Sequence, residues 1–208
     1  GLIKNALEMI GPDEDVEIIA GLQNLQGLLY MNHSDILEAK DAFENSIKNF
    51  RKSKTTYNIV RPLNNLGQVY GSYLGDLSTA KKYYSQAIQI PEAYNIKTKQ
   101  TLGYINLGHI FYLEDKHDIA IEYLYKALKI IEKTKVKEHF FLASLNLCKT
   151  YLAVNDYNKA SYYLRKLESE FDQTKHFGES IEEYYLVHLQ YYIRLSNIEK
   201  AEKWLFKF

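Results

Sequence analysis

One cysteine, Cys148, stands in the 208 residues. That excludes an intrachain disulfide framework and a multi-cysteine zinc site, and it fits a reducing, cytoplasmic setting. Only three prolines (Pro12, Pro62, Pro91) and ten glycines occur, about half the share usual in globular chains, which leaves few residues for the turns of strand-rich folds and favours long helices. Excess charge of one sign is also missing. The 26 basic residues balance 26 acidic ones, so no long-range field draws nucleic acid or an anionic membrane. Apolar runs such as Phe140 to Leu145 fall far short of the ~18 residues a membrane span needs, and the first ten residues lack a signal-peptide pattern. Catalytic patterns are absent too. The six histidines (His33, His109, His117, His139, His176, His188) form no His-Glu-x-x-His pair and no Cys/His ligand spacing, and there is no phosphate loop or nucleophile elbow. The chain is expected not to be an enzyme and to need no metal or cofactor.

What is present repeats. The segments Leu22-Gln-Asn-Leu, Leu63-Asn-Asn-Leu, Tyr104-Ile-Asn-Leu and Ser144-Leu-Asn-Leu place Asn24, Asn65, Asn106 and Asn146 at spacings of 41, 41 and 40. A second column, Ala39, Ala80, Ala120, Ala160 and Ala201, has spacings of 41, 40, 40 and 41. Four residues after each alanine stands Phe43, Tyr84, Leu124, Leu164 or Leu205, and seven after stands Ser46, Ala87, Ala127, Leu167 or Phe208. Positions i, i+4 and i+7 share one helical face. Each unit therefore reads as helix A, carrying Asn-Leu and an aromatic a turn later, and helix B, starting near the alanine. Asp-, Asn- and Gly-rich turns join them, supplying left-handed residues and N-caps. Pro91, and the Lys-Ser-Lys, Lys-Thr-Lys and Gln-Thr-Lys stretches, mark the stops between units. The expected fold is all-α, a single solenoid domain over 1–208 with repeats at 15–54, 55–94, 95–135, 136–175 and 176–208, preceded by a helix at 2–10. Because the chain starts without methionine on a half-repeat and ends inside a helix B, it is expected to be a piece of a larger protein.

The pattern resembles the tetratricopeptide repeat, Trp-x2-Leu-Gly-x2-Tyr, Ala-x3-Phe and Pro. Leu63-x2-Leu66-Gly67-x2-Tyr70 with Ala80-x3-Tyr84 carries the likeness, as does Tyr104-x2-Leu107-Gly108-x2-Phe111 with Ala120-x3-Leu124. Cys148 replaces the glycine in repeat four, His188 and Leu189 stand there in repeat five, and repeat one needs a shift of one residue. The period exceeds the usual 34 residues by six or seven, roughly 10 Å of added helix per pair. In this it is similar to the long-repeat subclass of kinesin light chains, cell-polarity adaptors and bacterial peptide receptors. The resemblance implies a right-handed superhelix that binds another polypeptide or holds a regulator in check.

In such a solenoid the A helices line the concave side, and side chains recurring once per repeat form ladders along it. A carboxamide offers a donor and an acceptor, as an extended peptide backbone requires. Asn24, Asn65, Asn106 and Asn146 are thus candidate ligand-holding residues; alternatively they satisfy polar groups at the seam between A helices. At ~0.5 to 1.5 kcal/mol per bond, four give about 2 to 6 kcal/mol, short of the ~8 that micromolar affinity needs. Neighbouring groove positions complete the candidate site: Asn64, Arg61, Gln68, Ile105, His109, Tyr112, Leu145, Lys149, Leu186 and Gln190. They grow more apolar toward the last three repeats, which predicts a ligand with a hydrophobic end there. The cations Arg61, Lys149 and Arg194 occupy different positions of their repeats, which disfavours a paired carboxylate clamp. The tyrosine column Tyr83, Tyr123, Tyr163, closed by Trp204, is expected to be core between repeats, and Cys148 a buried inert thiol.

The functional expectation is a protein- or peptide-binding module of a regulatory, signalling or transcription-controlling protein, with no direct nucleic-acid or membrane contact from this segment. The alternative is a structural arm that self-associates into a homo-oligomer through its terminal repeats, where uncapped ends leave apolar surface open.

Overall fold

A computed structural model describes residues 16–53, 55–93, 96–170 and 179–206. The helix expected at 2–10 lies outside them. The described residues form ten α-helices in five consecutive pairs and no strand. They are α1 (Val16–Asn32) with α2 (Ile36–Phe50), α3 (Val60–Gln68) with α4 (Leu77–Ala93), α5 (Thr101–Leu113) with α6 (His117–Thr134), α7 (Lys137–Ala153) with α8 (Tyr157–Glu170), and α9 (Glu179–Arg194) with α10 (Ile198–Leu205). The all-α, αα-solenoid class is as expected. The chain divides into two compact units, 1–106 and 107–208, with the division inside α5.

Every turn within a pair is built alike. One residue takes the left-handed region, namely Ser34, Gly75, Asp115, Asn155 and Ser196, with φ between 54° and 69°. The following amide (Asp35, Asp76, Lys116, Asp156, Asn197) then donates back to the carbonyl of Tyr30, Tyr70, Phe111, Tyr151 or Tyr192 at 2.8–2.9 Å. This closure satisfies helix-end carbonyls and reverses the chain in two or three residues. Serine and aspartate tolerate the conformation at some cost; Gly75 adopts it freely. The carboxylates of Asp76 and Asp156 accept from the Thr79 and Lys159 amides at 2.9 and 3.1 Å, capping α4 and α8. Hydrogen bonding from Thr79 and Lys159 holds both carboxyls below their ordinary range.

Each B helix seats a large side chain against a bare spot on its A helix. A Cβ added to Gly27 or Gly67 would lie 2.5 Å from the ring of Phe43 or Tyr84, and one on Gly108 2.7 Å from Leu124. The alanine four residues earlier is fully buried in the first four pairs, as are Phe43 and Leu124. In the fourth pair Cys148 occupies the seat, its thiol buried and bonded to the Ala160 carbonyl at 3.6 Å, and the corresponding B-helix residue is Leu164. In the fifth, Leu189 stands seven residues before the turn residue Ser196, where the other pairs (the second excepted) have their seat. Leu205, denied that seat, is 53% exposed. Trp204 stacks instead on buried His188, 3.9 Å between centroids.

Three details differ from expectation. Pro91 lies inside α4 rather than marking its end; two residues from the last position, it costs one helix bond near an end that already lacks several. The tyrosine column packs within pairs as well as between repeats: Tyr83 stacks on Tyr70 at 5.5 Å, Tyr123 on Phe111 at 5.3 Å and Tyr163 on Tyr151 at 6.0 Å, while Tyr83 also packs on the core of the first pair and the Tyr163 hydroxyl donates to that of Tyr125 in the preceding pair at 3.2 Å. The third departure is the π-helical turn Val69–Tyr73 that continues α3. It makes Gly67 to Gly75 eight residues, against seven from Gly27 to Ser34 and from Gly108 to Asp115.

Gly67→Ala should lower the melting temperature followed by circular dichroism. Overpacking against Tyr84, only 5% exposed, costs about 1–3 kcal/mol and outweighs the ~1 kcal/mol that alanine adds in helix propensity. Gly67→Ala with Tyr84→Leu, a small-side-chain pairing like Cys148 with Leu164, should recover most of the loss.

Candidate functional site

The asparagines sit on A helices and bond to one another across consecutive A helices. In the first unit the Asn65 Nδ2 donates to Asn24 Oδ1 at 3.0 Å, and the Asn106 Nδ2 donates to Asn64 Oδ1 at 3.1 Å. The bonds run diagonally. Measured from the glycine seats, Asn65 and Asn106 stand two residues before Gly67 and Gly108, whereas Asn24 and Asn64 stand three before Gly27 and Gly67. The single column expected from the 41-residue spacing is therefore two columns, linked in steps. Asn64 also donates to the Val60 carbonyl at 2.9 Å, which fixes its oxygen toward Asn106.

The steps end where the acceptor does. At three residues before the seat, repeats three and four carry Ile105 and Leu145, which are 3% and 0% exposed. Both belong to the core and offer no surface to a ligand, contrary to the expectation that they line the groove. Asn146 turns elsewhere in the second unit: it donates to the Leu142 carbonyl at 2.9 Å, and its Oδ1 lies 3.0 Å from His109 Nδ1. With that oxygen as acceptor, His109 carries its proton on Nδ1. Burial, and next the nearby Lys149 charge, lower the His109 pKa, so the ring is neutral near pH 7. Lys149 is committed to Glu183 at 2.8 Å and lies 5.7 Å from the Tyr112 ring centroid. Arg194 reaches Asn155 at 3.5 Å on the surface. Gln68 is half-buried, Arg61 and Gln190 are exposed, and Leu186 is 38% exposed.

A second set of steps escaped the reading of the sequence. The Asn58 Nδ2 donates to Glu17 Oε1 at 2.7 Å, and the Lys99 ammonium donates to Asn58 Oδ1 at 2.8 Å while lying 4.6 Å from the Tyr57 ring. Glu17, Asn58 and Lys99 are each 41 residues apart, a spacing that could have revealed them. Lys99 has its pKa lowered by burial and by Arg61, so these two cations share one neighbourhood in the first unit.

The tetratricopeptide-repeat family profile matches residues 60–94 and 103–134. These two stretches are tetratricopeptide repeats. No curated protein matches it. Among solved structures it is similar to a Rap protein complexed with competence and sporulation factor (14% identity, TM-score 0.78, 98% of this chain and 57% of that one). It is also similar to a putative kinesin light chain with nearly identical repeats from Podospora anserina (16%, TM-score 0.65, 92% of this chain and 93% of that one), and to BtubC of P. vanneervenii (19%, 0.67, 85% and 73%). At these identities the likeness is one of fold. Tetratricopeptide-repeat solenoids are protein-interaction scaffolds. No helix among the described residues is long and apolar enough to cross a membrane.

Because the His109 pKa is lowered in the folded state, the unfolded chain binds more protons between the folded value and ~6.5, and stability falls as pH drops through that window. His109→Gln should flatten this fall, seen as a smaller difference between urea midpoints at pH 7 and pH 5 than in the parent. An unchanged difference would assign the acid sensitivity elsewhere, to His139, whose pKa burial also lowers.

Proposed function

We propose that this protein is a non-enzymatic, cytoplasmic binding module of a regulatory protein. Its A-helix faces hold an extended polypeptide. The observation that carries this reading is the stepped carboxamide pairs of the first unit. Asn24, Asn65 and Asn106 are half-buried; Asn65 and Asn106 each commit one of two N–H donors to these bonds, and Asn24 commits one of two lone pairs on its oxygen. The pairing orients each amide while leaving hydrogen-bonding capacity at its edge. An amide held in advance loses less entropy when a ligand arrives.

The dimensions agree. Neighbouring helices lie ~8–10 Å apart and an extended chain advances ~3.3 Å per residue, so one step corresponds to about three ligand residues. Arg61 and Lys99 favour an acidic residue beside the first unit. In the second unit, with Leu145 in the core, the apolar groups left to anchor a ligand are Tyr112, Leu186 and Ile193, the last 58% exposed. The similarly folded Rap protein forms a complex with competence and sporulation factor, which is consistent with a binding role for this fold.

A peptide-display screen on the whole chain tests the proposal. Peptides selected on the parent should bind Asn65→Ala/Asn106→Ala at least roughly tenfold more weakly, the loss of one to two net hydrogen bonds. Equal binding to both proteins would make the asparagines purely structural.

A further inference from the structure

The second unit contains a cavity of about 800 Å³ that shares no residue with the asparagine face. Its walls are Tyr125, Leu128 and Ile131 of α6, Phe140 of α7, and Tyr162 and Lys166 of α8. It exists because of how one B helix joins the next A helix. The two earlier junctions each insert a 3-10 turn, Thr56–Ile59 and Lys97–Gln100, before the A helix begins. The last residue of each turn is sealed, Ile59 at 1% and Gln100 at 5% exposure, and Gln100 closes over α4 by donating to the Ile88 carbonyl at 3.1 Å. The third junction has no such turn. Lys135 takes a left-handed φ of 57°, Val136 is extended, and α7 starts at Lys137. Phe140, forty residues after Gln100, and Leu128, forty after Ile88, then both line the cavity.

The walls are held in place. The Tyr125 hydroxyl lies 3.0 Å from that of Tyr151 and accepts from the Tyr163 hydroxyl at 3.2 Å, which fixes a ring that is otherwise 43% exposed. Lys166 holds its ammonium 4.9 Å from the Tyr162 ring and 5.7 Å from that of Phe140. Around the rim stand four lysines, Lys129, Lys135, Lys137 and Lys166, against one carboxylate, Glu132. A chain with no net charge thus gathers a local excess of three positive charges at the mouth of an aromatic cavity. Its size falls in the range of small-molecule sites, ~300–1,000 Å³, which are typically apolar with a few convergent polar groups.

We propose that this cavity binds a small organic anion with a flat aromatic body, of the aryl carboxylate or sulfonate class. The body stacks among Tyr125, Phe140 and Tyr162, and the anionic group meets the lysine rim. The site stands independently of peptide binding on the A helices.

The probe is 1-anilinonaphthalene-8-sulfonate, an aryl sulfonate, compared by fluorescence titration with its uncharged analogue N-phenyl-1-naphthylamine on the intact chain. One saturable site is expected. The neutral analogue should bind several-fold more weakly, and Lys129→Gln/Lys166→Gln should weaken the sulfonate roughly 3- to 10-fold without lowering the melting temperature. Leu128→Trp should fill the space and abolish binding, while Asn65→Ala/Asn106→Ala should leave it unchanged. Equal binding of both probes, or sulfonate binding indifferent to the lysine double variant, would overturn the proposal. The lysine variant decides the matter even if Leu128→Trp fails to fold.

Discussion

A B-helix side chain laid over a bare spot on its own A helix is the contact on which the rest of the structure depends. Phe43 over Gly27, Tyr84 over Gly67 and Leu124 over Gly108 bring the two backbones close, and the buried alanine one turn earlier keeps them so. Close approach sets the direction in which each A helix presents its other side chains. The left-handed residue in each turn, followed by the amide bonded back to the A helix, fixes where along A the B helix starts. Where Cys148 occupies the seat, the B-helix position is Leu164, and in the last pair Trp204 stacking on His188 takes over.

Seat and turn together decide which polar groups of neighbouring A helices meet. The diagonal from Asn65 to Asn24 and from Asn106 to Asn64 follows from a lateral step between repeats, as does the run from Glu17 through Asn58 to Lys99. Buried or half-buried carboxamides need partners, and these bonds supply them. They also order the amides before any ligand arrives. In the second unit the same face uses different chemistry, a neutral His109 against Asn146 and a Lys149 to Glu183 ion pair. The two units therefore present unlike surfaces on a common framework.

The repeat, the helix pairs and the turns were legible in the primary structure because each rests on a residue type whose physics is local: alanine at the close approach, glycine at the seat, Ser, Asp, Asn or Gly where φ is positive. The asparagine register was not. Asn24 and Asn65 are 41 apart and look equivalent, but the seats Gly27 and Gly67 are 40 apart, and a one-residue difference turns a column into a diagonal. The extra residue in the π turn after Gln68 lengthens the neighbouring spacing and hides the difference. Ile105 and Leu145 share the register of Asn64, three residues before the seat, and their apolar side chains turn into the core whereas the Asn64 amide makes hydrogen bonds. The cavity was illegible for another reason: whether residues 137–140 wind as α or as 3-10 is decided by packing, and no single side chain announces it.

Side chains of consecutive A helices bond to one another and so fix the face they form. A double-mutant cycle on Asn24 and Asn65, each replaced by Ala singly and together and followed by urea unfolding, measures it most directly. Their partly buried bond predicts a coupling of about 0.5–1.5 kcal/mol. Strict additivity of the two substitutions would contradict it.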